Sequence, residues 1–133
     1  MSSDTSFQSA LRTLLMPKDA NIHGTIFGGV VLSLIDQASF VEARKHGMHR
    51  WLTASIDRVD FKKPIRIGDI AHLYTRTIST GSSSVLVEIR VDAERYDSGK
   101  IIEVTRAKST MVSVDMHMKP IAFKSSPTIS SIS

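Results

Sequence analysis

Three features of this 133-residue sequence predict an α+β fold, with an antiparallel sheet wrapped around one long central helix. Apolar residues recur at helical spacing in Phe27, Val30, Val31, Leu34, Ile35, Ala38 and Val41. Val85, Val87, Ile89, Val91 and Ala93 alternate with Leu86, Glu88, Arg90, Asp92 and Glu94, the period of a strand with one buried face. Strand-like segments separated by short turns follow the helix one after another, so they are expected to pair antiparallel.

The elements follow in chain order. Residues 8–16 read as a first strand, although Leu11, Leu14 and Leu15 do not alternate cleanly. Pro17-Lys18-Asp19-Ala20-Asn21 reads as a turn and loop. The helix is expected from Ile26 to about His46, with Gly47 as its C-terminal stop and basic residues suited to the helix dipole. Its apolar stripe is wide enough to predict burial on most sides. Thr53 to Phe61 is strand-like, and a phase slip between Ile56 and Val59 predicts a bulge. Ile70 to Ile78, Val85 to Glu94 and Ile101 to Val114 are the remaining strands, joined by turns at 81–84 and 96–100. One domain is expected over residues 1–123, and the Ser-rich segment 124–133 is expected to be disordered.

Composition narrows the function classes. With no cysteine, disulfides, thiol nucleophiles and cysteine-ligated metals are excluded. The five histidines show no ligand spacing, so no metal site is expected, and they read as surface residues. Met1 to Phe7 lacks a basic region followed by an apolar run, and no window approaches a membrane span. A cytoplasmic protein without membrane insertion is expected. The net charge of +4 favours anionic partners. Basic residues are scattered and aromatics make up only 6%, so nucleic acid ranks behind a phosphorylated small molecule.

The most informative segment is Gly24-Thr25-Ile26-Phe27-Gly28-Gly29, running into a helix that carries Asp36 in its middle. Glycines at a helix start let a ligand approach N–H groups that lack intrahelical partners. Asp36 lies seven residues after Gly29, close to two turns, and so on the same side of the helix. An aspartate among Leu32, Ser33, Leu34 and Ile35 is costly to bury alone, so a cleft or a partner is expected. The pattern suits an oxyanion site with an acid/base group beside it.

Met16-Pro17-Lys18-Asp19-Ala20-Asn21, the glycine segment and Asp36 together resemble the hotdog-fold acyl-CoA thioesterases, of the YciA and brain acyl-CoA hydrolase type. Asp60-Phe61-Lys62-Lys63-Pro64-Ile65, Gly68-Asp69 and Gly81-Ser82-Ser83-Ser84 extend the resemblance, which covers roughly residues 8–115. It implies a hotdog fold of five or six strands and a homodimer joined sheet edge to sheet edge, assembled further into a tetramer or hexamer. It also implies an active site at the dimer interface, where an acyl-CoA is hydrolysed to free acid and CoA. No cofactor is expected, coenzyme A being part of substrate and product. The chain departs from the family pattern at Thr25, where relatives often carry Asn or Asp. A hydroxyl there can donate or accept a hydrogen bond but cannot serve as a general base.

On this basis Asp36 is expected to act as general base, or as nucleophile through a transient anhydride. Gly28 and Gly29 are the expected oxyanion donors, with Asn21, His23, Thr25 and Ser33 as orienting groups. The resemblance assigns Gly81, Ser82 and Ser83 to coenzyme A, and Arg58, Lys62, Lys63, Arg106 and Lys108 are the basic candidates for its phosphates. Phe27, Phe40, Val59 and Phe61 are candidates for lining the acyl tunnel. A non-catalytic acyl-CoA sensor or carrier on the same fold is the second reading, distinguished by failure to release free thiol.

Overall fold

The computed structural model describes residues 7–129. Its elements are β1 (Gln8–Leu14), a 3-10 turn (Pro17–Asp19), α1 (Gly28–Arg44), β2 (Arg50–Phe61), β3 (Ile70–Thr80), β4 (Ser84–Glu94) and β5 (Ile101–Val114). The strands form one five-stranded sheet in the order β1-β3-β4-β5-β2, and every neighbouring pair is antiparallel. The β3–β4–β5 run matches the expected meander. The strand after the helix does not join it in sequence: β2 pairs with β5 and forms one edge, while β1 forms the other.

Val87, Ile89 and Val91 of β4 are fully buried beside Leu73 of β3 and Ala107 of β5. Val31, Ile35, Ala38, Ser39, Glu42 and Ala43 bring one helix face onto this layer, a spacing that keeps them on one side. Ile35 is completely buried, worth about 2–3 kcal/mol by its apolar surface. Glu42 enters the core because three donors meet it: Thr75 Oγ1 at 2.9 Å, Thr77 Oγ1 at 2.8 Å and Lys45 Nζ at 3.0 Å. Burial alone would raise its carboxyl pKa. The hydrogen bonds from Thr77, Lys45 and Thr75, with the Lys45 charge, outweigh burial and hold it below the ordinary value.

Several expectations change. The helix is shorter than 26–46 because Ile26 pairs outside it, donating to the Ile65 carbonyl at 2.8 Å. It is not buried on most sides: Leu32, Phe40 and Val41 remain 36%, 40% and 39% exposed. Gly47 does not end the helix in a left-handed conformation. It is required by close approach instead, since a Cβ there would stand 2.7 Å from the Phe123 carbonyl oxygen. Not all histidines lie on the surface. His49 is fully buried, bonded to the Phe123 carbonyl at 2.8 Å and to Thr128 Oγ1 at 2.9 Å, and His72 is buried beside Glu94. His49 helps to hold the C-terminal segment, which also donates from the Thr128 N–H to the Met48 carbonyl at 3.1 Å. Residues 124–129, part of the segment expected to be disordered, are therefore tied to the body; residues 130–133 lie outside the described residues.

The bulge expected in β2 falls between Asp57 and Asp60, where Arg58 takes a left-handed φ of 52°. Among the described residues, no helix is long and apolar enough to cross a membrane, and no cluster of three metal-ligating side chains occurs.

Candidate active site

The turn before α1 is organised by Asn21. Its Oδ1 accepts from the His23 N–H at 2.8 Å and the Thr25 N–H at 3.3 Å, and its Nδ2 donates to Thr25 Oγ1 at 2.9 Å. Asn21 thereby spends its amide on shaping the loop. Thr25 Oγ1 accepts that bond, which leaves its own proton free to be donated elsewhere. The Phe27 N–H donates to the Asp19 carbonyl, so the chain enters the helix with Gly28 and Gly29 as its first two residues. Their N–H groups have no carbonyl one turn earlier to bond within the helix.

A cleft of about 340 Å³ opens beside them, lined by Thr25, Ile26, Gly28, Val31, Phe61, Lys62, Lys63, Pro64, Ile65 and Thr105. Lys62 is held by Glu103, whereas Lys63 has no carboxylate partner among the described residues. Arg106 joins Glu103 at 2.8 Å, and this bond, with Lys62 beyond it, lowers the Glu103 pKa to about 2.

Asp36 lies elsewhere. It lines a second cleft of about 420 Å³ with Leu11, Gln37, Phe40, Val41, Trp51, Thr53 and Met111. Its carboxylate accepts a hydrogen bond from Thr53 Oγ1, across from it on β2. Thr53 escaped the sequence reading because a threonine in a strand carries no local mark of function. The helix geometry explains the separation from the glycines: seven residues of α-helix span about 10 Å along the axis. Sharing a helix side does not make Gly29 and Asp36 neighbours. Of the proposed orienting groups, Ser33 pairs with Gln37 at 3.3 Å, and the exposed His23 belongs to the Asn21 loop.

The residues assigned to coenzyme A also divide. Gly81, Ser82 and Ser83 form the β3–β4 turn beside Ser113, whose N–H donates to the Ser83 carbonyl at 2.8 Å. Phe61 and its cleft lie beside Thr105. Eight residues of β5 separate Thr105 from Ser113, about 26 Å of strand. The turn thus belongs to Asp36's end of the sheet, where Thr53 faces Met111. Arg58 sits at the bulge between the two ends, exposed. Arg106 and Lys108 lie on the sheet face away from the helix, Arg106 bound to Glu88 and Glu103. Phe61 and Phe40 line different clefts; Phe27 and Val59 line neither.

One chain therefore presents two separate clefts, one beside the helix-start N–H groups and one beside an oriented carboxylate. Residues 23–98 match the thioesterase superfamily. The chain is 34% identical to the acyl-CoA thioester hydrolase YciA of Escherichia coli, over 84% of this chain and 87% of that one. The hexameric hotdog-fold thioesterase of Campylobacter jejuni superposes with a TM-score of 0.83 at 40% identity, covering 87% of this chain and 90% of that one. An acyl-CoA hydrolase from Staphylococcus aureus, solved with butyryl coenzyme A, superposes at 0.79 with 30% identity, covering 96% of this chain and 75% of that one. The order of elements, the glycine-led helix and these matches together place the chain in the thioesterase superfamily, with the hotdog fold.

Proposed function

We propose that this protein hydrolyses acyl-CoA thioesters to free carboxylic acid and CoA, at a site built from two copies of the chain. The observation that carries this reading is the division of the chemistry between two clefts of one chain. Asp36, oriented by Thr53, faces an apolar cleft suited to an acyl chain. Gly28 and Gly29 supply oxyanion donors at the other cleft, with Lys63 at hand for a phosphate. The relatives' names support the substrate class.

Edge strand β2 offers the means of joining the halves. Two β2 edges paired antiparallel about a two-fold axis run in opposite directions. That pairing sets the Asp36 end of one copy beside the Gly28 end of the other. The apolar side chains of Leu52, Phe61, Leu32 and Phe40 are exposed in the single chain and would be covered in such an assembly. The relatives described as hexameric make larger assemblies of this dimer the expected state.

In the reaction, the Asp36 carboxylate takes a proton from water as its oxygen attacks the thioester carbon. The N–H groups of Gly28 and Gly29 from the second copy hold the developing oxyanion. The C–S bond then breaks, the acid is released, and the thiolate takes the proton back from Asp36. Direct attack by Asp36 would instead form an anhydride that water cleaves. Neither route needs a cofactor. Thr25 can donate its free proton near the carbonyl, and Asn21 keeps the loop in shape. Arg58, Gly81, Ser82 and Ser83 remain the candidates for the nucleotide end of CoA. The left-handed backbone of Arg58 costs on the order of 1–2 kcal/mol, and strain of this kind gathers at ligand sites.

A thiol-release assay over short, medium and long acyl-CoAs tests the reading. The wild type should release CoA, and Asp36→Ala should lose roughly 10²–10⁴ in rate while still binding substrate. Binding without thiol release by the wild type would make the protein a sensor or carrier.

A further inference from the structure

Thr105 of β5 lies in the lining of the cleft beside Gly28 and is 1% exposed. Its hydroxyl has no hydrogen-bond partner among the described residues. Such an orphan is uncommon, because a buried hydroxyl without a partner costs about 1–3 kcal/mol. The strand does not force threonine here. Its inward-facing neighbour two residues on, Ala107, is apolar, as is Val91 opposite it on β4. A valine would fill the same space without the cost. The other walls near Thr105 are largely apolar: Ile26, Val31, Phe61, Pro64 and Ile65.

We propose that Thr105 is a specificity-determining residue whose hydroxyl hydrogen-bonds an amide of the substrate's pantetheine arm. This rests on the acyl-CoA reading above. If the thioester oxygen sits at Gly28 and Gly29, and a phosphate near Lys63, the arm joining them runs through this cleft. The arm carries neutral amides within an aliphatic chain, and the cleft pairs largely apolar walls with two neutral hydroxyls, Thr25 at the helix start and Thr105 on β5. A threonine hydroxyl can donate to an amide carbonyl or accept from an amide N–H. A charged group would be a poor occupant at that depth. The acyl chain is assigned to the Asp36 cleft, so Thr105 should read the thiol portion of the substrate and be indifferent to acyl length.

The test compares Thr105→Val and Thr105→Ser with wild type on three thioesters of one acyl group. These are the acyl-CoA, the acyl pantetheine and the acyl thioester of a plain alkanethiol, which has no amide. Thr105→Val should lower kcat/KM about tenfold on the two amide-bearing substrates, chiefly through KM, and leave the alkyl thioester unchanged. Thr105→Ser should keep most of the activity. The Tm of Thr105→Val should equal or exceed that of wild type, because an unpaired polar group has been removed. Equal losses on all three substrates, or a lowered Tm, would show a structural hydroxyl and overturn the proposal. No loss on any amide-bearing substrate would also overturn it. Should the wild type hydrolyse none of them, the catalytic reading fails separately. Calorimetric binding of CoA then decides: about tenfold weaker binding by Thr105→Val supports the amide contact, and equal or absent binding overturns it.

Discussion

Two inactive variants of this protein should restore each other. In the first, Gly28→Pro removes one of the two N–H groups proposed to hold the oxyanion, and little else. Proline suits the first residue of a helix. Phe27 before it already has φ −56° and ψ 138°, a conformation that precedes proline without strain. A Cβ at Gly28 would meet only the Phe61 ring, at an ordinary 3.7 Å. Loss of such a donor lowers kcat roughly 10²–10³-fold. In the second, Asp36→Asn removes the proposed base, with an expected loss of roughly 10²–10⁴. The magnitude in the mixture follows from geometry. Oxyanion donors must come within about 3 Å of the oxygen, yet Gly29 and Asp36 of one helix stand about 10 Å apart along its axis. On the proposed reading, a site therefore takes its base from one copy and its donors from another. In a randomly assembled mixture half of the dimers are mixed, and each mixed dimer has one intact site. Activity should rise to about a quarter of the wild-type value. Purification of co-expressed, differently tagged variants through both tags should bring a dimer towards one half, and leave a hexamer, most copies of which already carry both tags, near one quarter. Activity that stays at the level of the parents, with mixed assemblies confirmed by mass, would refute the two-copy site.

Other predictions concern single positions. Thr53→Val removes the hydrogen bond that orients Asp36; kcat should fall roughly ten- to hundredfold with little change in KM, measured by steady-state thiol release. Arg95→Met strands Asp69, which is 2% exposed and bonded to Arg95 at 2.5 Å, so chemical denaturation should show a loss of about 3 kcal/mol or more. Glu103 is ionised more easily in the folded protein, with its pKa lowered to about 2 by Arg106 and Lys62. Its contribution is complete above the unfolded value near 4.5 and fades as pH falls towards 2. Glu103→Gln should therefore cost about 1 kcal/mol at pH 7 and match wild type near pH 2, read from urea midpoints against pH.

Much of this fold is written locally. The alternation from Val85 to Glu94 produces β4 almost residue for residue, and Ile101 to Val114 is β5. The phase slip after Ile56 marks a real bulge, because a one-residue insertion moves every later side chain to the opposite face. The glycine pair before an apolar helix, with Asp36 inside it, is equally visible, since helix starts and apolar faces depend on short-range spacing. Other features depend on residues far apart in sequence. His49 looks like a surface residue beside a helix exit, yet residues 123 and 128 bury it. Thr53 and Thr105 look like ordinary strand threonines. One faces a carboxylate seventeen residues away, and the other lines the cleft beside Gly28.

The chain by itself determined the single long helix, the antiparallel meander and the presence of a glycine-led helix start with a carboxylate further along the same helix. Tertiary structure alone decided where they stand. Sheet order comes from hydrogen bonds between distant segments, and it placed β2 at an edge rather than beside β3. Helical rise and strand length, not periodicity, separated Asp36 from Gly28 and Gly29. Periodicity tells which side a residue faces; only the assembled sheet tells how far along that side its partner lies.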